Sequence, residues 1–149
     1  MWKLDASERI THWRNFRKTL DSLNFEKALQ ATADFWQSCP FVPYYLDVDQ
    51  PETWPSPWEL IAENYYCDLA KSLGMLYTVC FTTHGSGLDA EIRTYYDSQN
   101  DYDYNLAVFA QGKYMLNFRD GAVVNTLLLN KNLTLKRCYT AEELKLQKY

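Results

Sequence analysis

The side chains able to do chemistry in this chain are few and far apart. Cys39, Cys67, Cys80 and Cys138 are its four cysteines, and His12 and His84 its two histidines. A thiol enzyme needs a cysteine, a base to take its proton and a third group to orient the base. The set that can be assembled is Cys67 as nucleophile, His84 as base, and Asp89 or Asp68 as orienter. The same residues also have a plainer reading. His84 precedes "GSG" in an expected turn, where a histidine is ordinarily solvated, and free cysteine is usually a small packed residue. No two cysteines form CxxC, and with so few histidines no zinc-ligand spacing arises. Asp97, Asp101 and Asp103 share one loop, "YDSQNDYDY", but lack the glycine and distal glutamate of an EF-hand. There is no Gly-rich phosphate loop, serine elbow or HExxH. Neither a metal nor a cofactor is expected.

The elements that would position these residues can be read from periodicity. Ile10, Trp13, Phe16, Leu20 and Leu23 recur at helical spacing, with Asp5 or Ser7 as cap. Asn24 reads as the N-cap of a second helix carrying Phe25, Ala28, Leu29, Thr32 and Trp36 on one side. These two helices make a helical hairpin over 1–38. All five prolines fall at 40–57, giving a stiff connector over 39–57. Ser56, Pro57 and Glu59 then form a capping-box start to a central helix over 58–73, which Gly74 would stop. Period-two texture follows, with candidate strands at 75–83, 89–96, 104–110, 113–118, 122–129 and 133–137. "HGSG", "AQGKY" and "RDGAV" read as turns. Thr140 would cap a short C-terminal helix over 140–149. The expectation is one α+β domain over 1–149, with an antiparallel sheet at 75–137.

On the expected central helix, Trp58, Ile61, Tyr65, Leu69 and Leu73 form the core stripe, and Cys67 lies almost opposite it. There Lys71 and Glu63, one turn to either side, offset each other at the thiol. A mid-helix cysteine also misses the field of the helix N-terminus, which fades within a turn.

Composition excludes several classes. The chain has 149 residues, 47% hydrophobic and 23% charged, with a net charge of −4. That is a globular balance with no basic patch, so nucleic acid is not an expected partner. The start "MWKLDASERI" has no apolar signal-like region, and no stretch is long enough to cross a bilayer. Scattered cysteines in such a chain read as reduced thiols. Twelve tyrosines stand out. Tyrosine suits strands and interaction faces, since its ring is apolar and its tip can stay wet. Tyr95, Tyr96, Tyr102 and Tyr104 are the expected interaction residues.

Two resemblances add to this. "WPSPWEL", "CDLAKSLG" and "YNLAVFAQGKYMLNF", across residues 54–118, resemble bacterial transglutaminase-like cysteine proteinases. The resemblance implies a transglutaminase- or papain-like core with Cys67 as the nucleophile. The family's histidine position falls near Tyr104 or Asn105, and its aspartate position near Asn117. Before Cys67 the chain has "NYY" where the family has a glycine-containing turn, and the helix after it is about two turns shorter. Most of the chain, notably "DFWQSCPFVPYYLD" and "YMLN", is also similar to small proteins of tailed bacteriophages. That implies a phage protein in the host cytoplasm or the virion.

The expected function is non-enzymatic: protein–protein contact with a phage structural or host protein, as a virion or assembly component or a host-interaction factor. The alternative is a cysteine hydrolase or transferase of transglutaminase-like type. A third reading is an inhibitor or adaptor that keeps a protease-like shape.

Overall fold

The computed structural model describes residues 1–125 and 132–149. Helices come first: α1 (Ala6–Leu20), α2 (Phe25–Trp36), α3 (Pro57–Glu63) and α4 (Asp68–Cys80). Strands follow: β1 (Ala90–Asp97), β2 (Tyr102–Phe109), β3 (Tyr114–Leu116), β4 (Val123–Asn125) and β5 (Leu133–Thr140). The fold is α+β, with a five-stranded sheet in the order β4-β3-β2-β1-β5. Every adjacent pair is antiparallel, and β5 returns to the free side of β1.

Local chemistry sets the helix starts. Asp5 and Asn24 accept from the backbone N–H groups of Glu8 and Lys27, satisfying donors that a helix cannot pair itself. Ser56 and Glu59 complete the expected capping box at α3.

The central helix departs from expectation. It is not one helix over 58–73. Asn64 takes a left-handed backbone, φ 59°, which ends α3 and which asparagine tolerates better than most residues. Tyr65 and Tyr66 then run beside the connector. Tyr66 N–H donates to the Pro40 carbonyl, and Val42 N–H to the Tyr66 carbonyl. Cys67 caps a new helix, α4, which continues through Gly74 to Cys80. The expected strand at 75–83 is therefore mostly helix. Ser72 to Val79 are all buried, and a helix buried all round shows no polar face to reveal its period. Gly74 is not a stop. It lies under the Trp36 indole, where a Cβ would overlap the ring.

The break also redraws the apolar stripe. Ile61, Leu69 and Leu73 are buried as expected, whereas Trp58 and Tyr65 are exposed. Leu60, Tyr66, Cys67 and Ala70 are buried in the core.

α4 is the centre of the molecule, with α2 and α3 on one side and β1 and β2 on the other. Its Thr78 hydroxyl accepts from both the Trp13 and Trp36 indoles, each at 3.0 Å, so two large aromatics are buried with their polar atoms paired. The sheet face towards α4 carries Ala90, Ile92, Ala107, Phe109 and Leu116. Its other face carries a smaller cluster, Leu106, Val108 and Met115, flanked by Tyr95, Tyr104 and Phe118.

Elsewhere the turns fall as expected, at Thr83–Gly85, 110–112 and 119–121. The expected strand at 122–129 is seen as β4, and its last four positions lie outside the described residues. β5 extends beyond the expected 133–137 to Thr140. Thr140 does cap the following turn through Glu143 N–H, but that segment makes turns and a short 3-10 helix, Leu146–Lys148, rather than an α-helix. No described helix is long and apolar enough to cross a membrane.

Candidate functional site

Cys67 is not mid-helix but at the first boundary of α4, with extended backbone (ψ 176°). The donors of the first helical turn converge there, a place that favours negative charge. Yet the residue is only 4% exposed and belongs to the main core cluster. The connector at 40–42 runs alongside Tyr66, the residue before Cys67.

His84 and Asp89 are not brought to Cys67. His84 follows the far end of α4, and a helix of that length spans about 20 Å. Its Nε2 lies 3.0 Å from the Leu20 carbonyl, and its ring packs against Phe25. Asp89 lies at the same far end, where its backbone carbonyl accepts from Ala110 N–H at 2.8 Å. The triad Cys67–His84–Asp89 is thus split across the long axis of α4. His12, the other histidine, stacks on Phe35 from α1. The neighbours of Cys67 could not be read from sequence once its helix was taken as continuous.

Asp68 is the residue that organises the N-terminal end of α4. Its Oδ2 accepts from the backbone N–H of Asn105 at 3.2 Å and from the Asn105 amide at 3.1 Å. Its Oδ1 accepts from the Asn117 amide at 3.1 Å. The same Asn117 amide reaches the Asp68 carbonyl, the Ser72 hydroxyl and the Asn105 carbonyl, at 3.0–3.1 Å. Ser72 donates to the Asn105 carbonyl, and Thr94 donates to the Asn105 amide oxygen at 2.8 Å. Asn117 reaches inward because it ends β3 in the left-handed region, φ 78°. Burial pushes the Asp68 carboxyl above its ordinary range, against the hydrogen bonds from Asn105 and Asn117 and the charge of Lys71. Every donor aimed at it is an N–H, so the arrangement is built for the carboxylate.

The family resemblance puts its base near Tyr104 or Asn105 and its orienter near Asn117. Neither asparagine side chain can take a proton from a thiol near neutral pH. In this chain they clamp Asp68 to the sheet.

Beside this network opens a groove of about 390 Å³. Asp68, Asn117, Tyr102, Tyr104 and Phe118 line it, with Lys71 and Asp120 paired at 2.7 Å. Cys67 is not among the lining residues, whereas Cys39 is. Burial pushes the Cys39 thiol up to about 11, so it is protonated near neutral pH.

The four tyrosines separate. Tyr102 and Tyr104 reach the groove. Tyr95 packs beside the outer apolar cluster and accepts from Arg93. Tyr96 donates to Asp101 at 2.8 Å with Lys136 over its ring. The acidic loop is likewise engaged: Asp97 accepts from Gln99 and Asn100, and Asp103 pairs with Lys136.

No protein-family model and no curated protein sequence matches the chain. Solved structures do. Calcium-bound LapG of Legionella pneumophila superposes with a TM-score of 0.72 at 15% identity, over 94% of this chain and 78% of LapG. A second LapG structure gives 0.69 at 16% identity, over 93% and 76%. An EGTA-treated one gives 0.69 at 15% identity, with the same coverage of each chain. The fold is therefore transglutaminase-like, as the resemblance implied. Among the described residues, no group of three or more His, Cys, Asp or Glu is placed to hold a metal ion.

Proposed function

We propose that this chain uses a transglutaminase-like fold as a binding module that acts through protein–protein contact rather than hydrolysis. One observation carries the reading. No histidine stands at Tyr104 or Asn105, near which the resemblance puts the base, and Asn105 and Asn117 are both committed to Asp68. A buried thiol with no histidine near it lacks the proton acceptor that thiol acylation needs. The groove beside Asp68, with Tyr102 and Tyr104, is the contact surface this favours. Its partner is a protein of a phage or of its host, met in the host cytoplasm or the virion.

A second reading, a cysteine hydrolase or transferase using Cys67, is favoured by a different observation. Cys67 caps the start of a helix packed on an antiparallel sheet, and LapG is a transglutaminase-like cysteine protease.

Peptide and ester turnover by the wild type and by Cys67→Ala separates the two. The binding reading expects no turnover from either protein, and a photo-crosslinking residue at position 102 should capture a defined protein partner. Turnover that disappears in Cys67→Ala, with rapid iodoacetamide labelling of Cys67 at neutral pH, would replace it with the second.

A further inference from the structure

We propose that the groove beside Asp68 receives a cationic side chain, arginine above all, from an extended segment of the partner. This rests on the binding reading above and specifies what the groove selects.

The walls of the groove are aromatic. Tyr102 and Tyr104 meet edge to face at 4.8 Å between centroids, and Tyr104 meets Phe118 at 4.7 Å. Tyr102 is 48% exposed, so part of this wall is open to an arriving group. The chain's own Arg119 already lies 5.9 Å from the Phe118 centroid, an in-chain instance of a guanidinium against this aromatic wall. Carboxylates complete the site. Asp68 lies at its inner end, held by amide donors, and Asp120 stands at the mouth with its side chain 69% exposed. Lys71 is the one cation among the lining residues, and its ammonium is already bound by Oδ1 of Asp120. Among the lining residues, two carboxylates stand against one paired ammonium, and Arg119 lies outside the lining against Phe118. Burial first, and then the neighbouring Asp68, Tyr104 and Asp120, raise the Tyr102 phenol.

Aromatic faces attract cations, and a planar guanidinium both stacks on a ring and binds a carboxylate through parallel N–H groups. An acidic side chain would meet two carboxylates, and a purely apolar one would bring no charge to answer them. The volume of about 390 Å³ falls within the range of sites that hold a small ligand group.

The test is a titration of isotope-labelled protein, followed by nuclear magnetic resonance. The probes are capped pentapeptides alike except for a central Arg, Lys, Gln or Glu. The expected result is saturable shifts at Tyr104, Asn117 and Phe118. The Arg peptide should bind about fivefold more tightly than the Gln peptide, and the Glu peptide most weakly. Asp120→Asn and Tyr104→Leu should each remove most of the ratio between Arg and Gln binding; thermal melts would confirm that both variants fold. Equal Arg and Gln binding, a Glu preference, or shifts mapping elsewhere would overturn the proposal. So would shifts at these residues on raising protein concentration alone, since a second copy would then fill the groove. If the groove binds peptide without charge preference, only the choice of ligand fails. If the peptide is cleaved and Cys67→Ala stops the cleavage, the binding reading itself fails.

Discussion

The two ends of α4 hold similar residue types and use them differently. The N-terminal end has Asp68, Asn105 and Asn117 in one connected set, with Cys67 next to Asp68 in the chain. The C-terminal end has Cys80, His84 and Asp89, beside a cavity of about 660 Å³, which Cys80 and Asp89 help to line. At the first end polar groups are paired side chain to side chain across a helix and two strands. At the second, His84 and Asp89 are tied to backbone groups of their own neighbourhoods. A nucleophile with its base would need members of both ends together. The fold holds them apart by the length of its most buried helix.

Thiol chemistry tests this contrast most strongly. Burial pushes Cys80 up to about 12 and Cys39 up to about 11, from 9.0. At neutral pH the folded protein should therefore alkylate Cys80 on the order of a thousandfold more slowly than an unfolded thiol does, and Cys39 about a hundredfold more slowly. Peptide mass mapping after timed iodoacetamide exposure reads both rates. Equal rates at the two sites would erase the difference between the ends.

The next effect is on stability. Asn117→Leu removes the amide that ties Asp68, Ser72 and Asn105 together and puts a leucine in the left-handed region. A loss of about 3 kcal/mol is expected, read by urea unfolding. His84→Ala at the other end should cost only about 1 kcal/mol, for one hydrogen bond and a ring contact. If His84→Ala cost as much as Asn117→Leu, the C-terminal end would be the better organised of the two.

The smallest effect is the pH dependence from Asp68. Its folded carboxyl lies above the ordinary 3.8, chiefly through burial. The folded state then holds this proton more tightly than the unfolded state, so the Asp68 contribution to stability falls as pH rises from 3.8 through the folded value, and levels off above it. Melts of the wild type and Asp68→Asn should diverge across that window, the wild type gaining relative stability towards acid. The opposite slope would mean that hydrogen bonds from Asn105 and Asn117 outweigh burial.

Much of the architecture was legible because its signals are local. Asp5, Asn24 and the Ser56–Glu59 box mark helix starts through short-range hydrogen bonds, and alternation marks β1 and β2. The transglutaminase-like shape was legible from "CDLAKSLG" and the strands after it. What failed turned on Asn64. A single left-handed residue between two helical stretches leaves the apolar spacing almost continuous, so Cys67 read as mid-helix and outside the core. α4 hid itself in the same way, since burial on all sides removes the contrast on which a period depends. The partners of Asp68 were illegible for another reason. Asn105 and Asn117 are distant in sequence, and their pairing with it needs the register of β2 with β3 and the inward turn at Asn117. The separation of His84 from Cys67 followed from the same unrecognised length of α4.

The place of β5 bears on how the chain reaches this structure. β1 and β2 are joined by a short turn and can zip as a hairpin, whereas β5 must find β1 from the far end of the chain. Closing that distance costs chain entropy that only a formed β1 can offset. β5 is therefore expected to dock late and open early. In native-state hydrogen exchange its amides should lose protection before those of β1 and β2. The sheet would then shed one edge while α4 and its Asp68 network stay in place.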